Sequence, residues 1–208
     1  LPDLLVLEIS GGEPSLHEDL AGLVGEFAAA TPVRFVSIPT NAVAPDAVER
    51  ARPIFAALGR QVTHMGAAGQ GQMTKLVNQV VGATTLAAVA EGLTLAARAG
   101  LDPAAVVQAV GSGAATSWAL TNLGPRMQRR DFAPGFTVRP QQKDLRLALA
   151  AAGRLGVPLP TTALVQQLFA AVEAQGGSDS GIQALVLALE ALAGVGSCVP
   201  DPPVPDPP

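Results

Sequence analysis

Apolar positions along the chain follow two patterns. Leu4 to Ile9 and Val33 to Ile38 are short, nearly continuous apolar runs closed by Gly, Pro, Thr and Asn, the signature of buried strands. Between them Leu20, Leu23, Val24 and Phe27 recur at helical spacing over about Glu18 to Ala30, with Ser15 placed to cap. Strand, helix and strand in that order predict a βαβ unit with parallel strands. Pro45 and Asp46 open another helix, to Leu58, which Pro53 bends or restarts, and Gln61 to Met65 reads as a short strand. From there the period is helical throughout. A long helix is predicted from about Gly69 to Arg98, then helices over Pro103 to Val110 behind the Asp102 cap, Ser117 to Arg130, Gln141 to Leu155, Thr161 to Glu173 and Ser180 to Ala193. In the last of these Ile182, Leu185, Val186, Leu189 and Leu192 form one stripe. The fold class expected is therefore mostly α, an all-helical domain around one long helix, preceded by a small partial α/β (βαβ) segment. The boundaries read are residues 1–66 for the α/β segment, 67–194 for the helical domain and 195–208 for a tail whose prolines forbid helix and ladder alike.

Composition narrows the chemistry. Hydrophobic residues make up 49% of the chain, with six Phe, one Trp and no Tyr, the palette of packed helices. Trp118 is expected in the core. The stretch Val77 to Ala90 contains Asn78, Gln79, Thr84 and Thr85 and ends at Glu91, so it reads as a buried core helix and no membrane span is expected. A net charge of −4 argues against nonspecific nucleic-acid binding, which needs basic patches to displace counterions. Local positive charge remains available at Lys75, Arg139, Lys143 and Arg146. The single cysteine, Cys198, excludes an internal disulfide and a thiolate metal cluster, so no metal is expected. Leu1 to Ile9 lack the basic region and cleavage site of a secretory signal, and a cytoplasmic location is the default expectation.

The candidate chemistry sits where the helical pattern begins. Gly66, Gly69 and Gly71 allow left-handed backbone or close approach, and the helix they feed carries Lys75, Asn78 and Gln79 at i, i+3 and i+4. An ammonium and two amides thus share one face. The positive end of the helix macrodipole gives the ammonium nothing there, a setting that suits general acid–base work. A solvated lysine on an amphipathic helix has the same spacing. The glycines match neither a dinucleotide fingerprint, since Thr74 stands at the third glycine, nor a phosphate loop, since Gln72 follows Gly71.

The pattern Gly66-x-x-Gly69-x-Gly71-x-x-x-Lys75-x-x-Asn78-Gln79 resembles the catalytic signature of the β-hydroxyacid dehydrogenase family, which includes 3-hydroxyisobutyrate dehydrogenase. The Asn78-Gln79 pair is nearer its tartronate semialdehyde reductase (2-hydroxy-3-oxopropionate reductase) branch than the Asn-Asn of other members. The resemblance continues through Ala90-Glu91-Gly92-Leu93, Arg126-Met127, Phe132-x-Pro134-Gly135-Phe136 and Gln142-Lys143-Asp144-Leu145, from about residue 50 to 194. It implies the all-helical C-terminal domain of a 6-phosphogluconate-dehydrogenase-like enzyme, with NAD or NADP as cofactor and a small hydroxy acid or semialdehyde as substrate. Lys75 would be the catalytic proton carrier. Asn78 would hold Lys75 or the substrate oxygen, with Gln79 beside it and Gly113 lining the substrate. Lys143, with Phe136, would meet the cofactor, and Asp144 would orient Lys143. As bare residues Lys143 and Asp144 fit a solvated helix face equally well. The family implies a homo-oligomer paired through helical domains.

The first part of the chain resembles something else. Ile9-Ser10-Gly11-Gly12-Glu13-Pro14, followed by Ser37-Ile38-Pro39-Thr40-Asn41, is similar to the middle of a radical S-adenosylmethionine enzyme, over residues 1–45. That family needs three clustered cysteines, and this chain has one. No dinucleotide fingerprint stands upstream of Lys75, so the chain reads as a fusion or truncation with its junction near residues 48–53 and the dinucleotide domain incomplete. Two alternatives to the oxidoreductase stay open, a non-catalytic helical dimerisation module and a radical S-adenosylmethionine enzyme fragment.

Overall fold

A computed structural model of the chain describes residues 5–8, 33–37, 63, 65–67 and 69–194. The chain forms two compact units, Leu1–Val77 and Asn78–Pro208, and the division falls inside the long helix. In the first unit β1 (Leu5–Glu8) pairs in parallel with β2 (Val33–Ser37), Val6 opposite Phe35 and Glu8 opposite Ser37. Parallel pairing is the expected sense for strands joined by a crossover. The helices expected over 18–30 and 45–58, and the tail over 195–208, lie outside the described residues. Thr63 and Met65, the described residues of the short strand expected at 61–65, are in no strand.

The glycine turn behaves largely as its composition predicts. Gly66 and Gly69 have φ of 106° and 90°, conformations that an L side chain resists, whereas Gly71 is helical. Gln70 N donates to Ala67 O and Met73 N to Gly69 O, which starts α1 (Gln70–Arg98).

The helical unit follows in sequence order. After α1 come α2 (Pro103–Gly111) and α3 (Gly124–Gln128), then α4 (Val138–Leu155), α5 (Pro160–Ala174) and α6 (Leu185–Leu192). Ala83, Leu86, Ala87, Ala90 and Leu93 of α1 join Leu145 of α4, Val165, Phe169 and Val172 of α5 and Leu185 and Val186 of α6 in one core. Burying each larger side chain of this kind contributes about 1.5–3 kcal/mol. By length and composition α1 could cross a bilayer, but its inner face is the centre of this core.

Local details depart from the pattern for identifiable reasons. The predicted helix over Ser117 to Arg130 contains a π-helical turn, Ala119–Leu123, ahead of α3. Pro125 has no N–H to give and its ring would meet the carbonyl four residues back, so the chain widens and Gly124 N reaches Ala119 O. Trp118 is not in the core but 50% exposed, because Leu120, Leu123 and Met127 take the inward face and Trp118 lies nearly opposite Leu120. Helix α4 begins at Val138, three residues early, since Pro140 in a first turn forfeits no hydrogen bond. Helix α5 begins at Pro160, one residue ahead of the expected Thr161, since a proline at the first helical position forfeits no hydrogen bond. Ser180 and Gly181 are extended, so the last helix passes through a 3-10 turn, Ile182–Ala184, before α6.

Candidate functional site

The site is assembled on a buried carboxylate. Asp144, in the second turn of α4, is 2% exposed. Gln79 of α1 donates its Nε2 to Asp144 Oδ2 at 2.7 Å, and Lys143 Nζ lies 3.0 Å from Asp144 Oδ1. Both oxygens of the carboxylate are therefore engaged, which compensates a charge otherwise costly to bury. The Lys143 side chain is 56% exposed, so its ammonium is anchored at one side and open to solvent at the other. A solvated helix face does not account for the Lys143-Asp144 pair, because Asp144 faces inward. One hydrogen bond thus joins the helix of the Lys75 motif to the helix of the Lys-Asp-Leu motif.

The other candidates lie as follows. Lys75 is half-buried in the second turn of α1, one turn before Gln79, and Asn78 is exposed. Gly113 is exposed in the turn that follows α2, where its N–H donates to Val110 O. Phe136 is half-buried in the segment 131–137 that leads into α4, and its carbonyl accepts from Ile182 N at 3.0 Å. No hydrogen bond or ion pair among the described residues joins Gly113 or Phe136 to Gln79, Asp144 and Lys143. Among the described residues no three His, Cys, Asp or Glu side chains come together as a metal site.

The segment 131–137 is braced at its start. Arg126 forms a fork on Asp131, Nε to Oδ2 at 2.8 Å and Nη2 to Oδ1 at 3.1 Å, and also donates to Ala133 O. The Arg126 hydrogen bonds, and that from Ala133 N, hold the Asp131 carboxyl below the usual aspartate range. Arg130, at φ 57°, places its guanidinium on both oxygens of the buried Glu190 and 5.2 Å from the centre of the Phe132 ring. Asp144 as the shared partner of Gln79 and Lys143 follows from neither motif alone. The only sequence signal was its adjacency to Lys143.

Comparison with known proteins places this architecture. Residues 69–189 match the family model described as NAD-binding of NADP-dependent 3-hydroxyisobutyrate dehydrogenase. The chain is similar to 2-hydroxy-3-oxopropionate reductase of Escherichia coli, 46% identical over 145 residues, which are 70% of this chain and 50% of that protein. It is also similar to an uncharacterized oxidoreductase of Synechocystis, 45% identical over 140 residues, 67% of this chain and 48% of the other. Among solved structures, a 3-hydroxyisobutyrate dehydrogenase from Salmonella typhimurium shares the fold with a TM-score of 0.68 at 23% identity, covering 88% of this chain and 68% of that one. The chain spans about half the length of the curated relatives it matches. With the match running from the start of α1 into α6, this chain belongs to the 3-hydroxyisobutyrate dehydrogenase family.

Proposed function

We propose that the chain supplies the helical half of an NAD(P)-dependent oxidoreductase of small 3-hydroxy acids or semialdehydes, of the tartronate semialdehyde reductase kind. The observation that carries the reading is the Gln79–Asp144–Lys143 linkage, which ties the motif helix to an anchored, solvent-facing ammonium. The donor set fits the cofactor. An exposed ammonium fixed by a buried carboxylate, with Phe136 as an apolar surface nearby in sequence, suits an anionic ligand that carries a flat amide-bearing ring. When bound, a nicotinamide dinucleotide would supply or accept the hydride. Lys75 gives a proton to the carbonyl oxygen in reduction and takes it from the hydroxyl in oxidation. Asn78 holds Lys75 or the substrate oxygen, and Gly113 lines the substrate. Gln79, its Nε2 given to Asp144, keeps Oε1 for a neighbouring donor. The segment 1–66 is read as partial α/β, 67–194 as the helical domain and 195–208 as a Pro-rich tail, in a cytoplasmic protein.

Titration of the chain with NADH and NADPH, followed by nicotinamide fluorescence, tests this. Saturable binding that Lys143→Ala removes is the expected result. Wild-type chain that stays unbound up to millimolar dinucleotide overturns it.

A second reading, a helical dimerisation module, has its own support. Val81, Ala88 and Leu95 recur every seven residues on the outer face of α1, with Gly92 beside them, and Val81 and Leu95 are 58% and 72% exposed. An apolar stripe that long on a helix already apolar on its inner face fits a second copy of this chain. This role is compatible with catalysis and stands alone if no dinucleotide binds.

A further inference from the structure

We infer that Gln183 is a positioning residue for the dinucleotide site and that Gly181 exists to make room for it. The inference rests on the reading above, in which Phe136 and Lys143 meet the cofactor. Gln183 lies in the 3-10 turn before α6 and is 1% exposed. Its Nε2 donates to Asp131 O at 2.8 Å and to Ala133 O at 3.1 Å, two carbonyls at the start of the Phe136 segment. The residues around it hold the rest of that segment. Gly181 N donates to Phe132 O, Ile182 N to Phe136 O, and Val138 N, the first of α4, to Ser180 O. Residues 180–183 therefore set both where the Phe136 segment runs and where α4 begins, and Lys143 is carried on α4.

Gly181 and Gln183 form one device. A Cβ on Gly181 would fall 2.4 Å from Gln183 Oε1 and 2.7 Å from its Nε2, distances no real Cβ sustains. The methyl position is occupied by the amide. Because that amide is the free end of a side chain, Gly181→Ala displaces it from the two carbonyls instead of moving the backbone. The two carbonyls then lose their shared donor, and Ala133 O keeps only the bond from Arg126.

The experiment is NADPH titration of the chain and its variants, with hydrogen exchange of the amides of Ala133, Gly135, Phe136 and Thr137. Gln183→Leu, close in volume, is expected to raise the NADPH Kd at least about tenfold, as a displaced binding group does, and to speed exchange in that segment. Gly181→Ala, which keeps Gln183, is expected to match it, and Gly181→Ala with Gln183→Ala to be no worse than either change alone. Val172→Ala, a core truncation on α5, serves as a control for lost stability and is expected to leave Kd unchanged. If Gln183→Leu fails to fold, Gly181→Ala gives the same reading. Wild-type affinity in the Gly181 and Gln183 variants, or an equal loss of affinity in Val172→Ala, overturns the inference alone. A wild-type chain that binds no NADPH overturns the site reading and this inference with it.

Discussion

At the scale of single residues the decisive features are two carboxylates in opposite settings. Asp131 sits near the surface in the fork of Arg126, and the ion pair holds its pKa below the ordinary 3.8. A carboxyl whose folded pKa is depressed releases its proton more readily folded than unfolded. It therefore stabilises the fold above the unfolded value, and that contribution is lost as pH falls through the lowered one. Asp131→Asn is accordingly expected to lower the urea midpoint near neutral pH, and the gap from wild type should close as pH falls below about 4. A gap independent of pH would mean that the pair contributes through shape alone. Asp144 shows what sequence leaves open at this scale. Lys75, Gln79 and Lys143 stand out by motif, but Gln79 and Asp144 are 65 residues apart, and only packing makes them partners.

Elements were more legible than residues, because helix periodicity and end signals are local. Asp102 before Pro103 reads as a cap and is one, with Oδ1 accepting from Ala104 N at 3.1 Å. The order of helices from Gln70 to Leu192 follows the apolar period, whereas α1, apolar on two sides, takes its inward face only from packing. The structure departs from the apolar period where a proline or an extended pair intervenes, as at the π turn ahead of Pro125 and at Ser180-Gly181. Trp118 was misplaced because an aromatic inside an apolar stretch looks like core until the helix is given its rotation. The relative strength of cap and core is testable by thermal unfolding. Asp102→Ala is expected to cost about 1 kcal/mol, since it frees one N–H at an exposed helix start. Leu86→Ala, at a side chain 1% exposed in the centre of α1, is expected to cost about 2–5 kcal/mol through lost burial and the cavity left behind. If the cap change proved the larger, α1 would not be the keystone of the core.

At the scale of the molecule, α1 presents apolar residues on two sides. One side is the core, and the other carries Val81, Ala88 and Leu95. Leu95→Glu puts a charge into that outer stripe without touching a core position. It is expected to convert a concentration-dependent mass in analytical ultracentrifugation to that of a single chain, with the helical circular dichroism unchanged. A monomeric wild type would remove the stripe's role as an interface. Taken by itself, the sequence determined the helical character, the order and ends of most elements, the two parallel strands and the family, since each is written in local periodicity, capping residues and motif spacing. Tertiary structure alone decided that Asp144 is buried between Gln79 and Lys143, that Trp118 faces outward and that Gln183 fills the space Gly181 leaves. Those are relations between residues distant along the chain or dependent on helix rotation. Their energies come from desolvation and close packing, and neither exists until the helices meet.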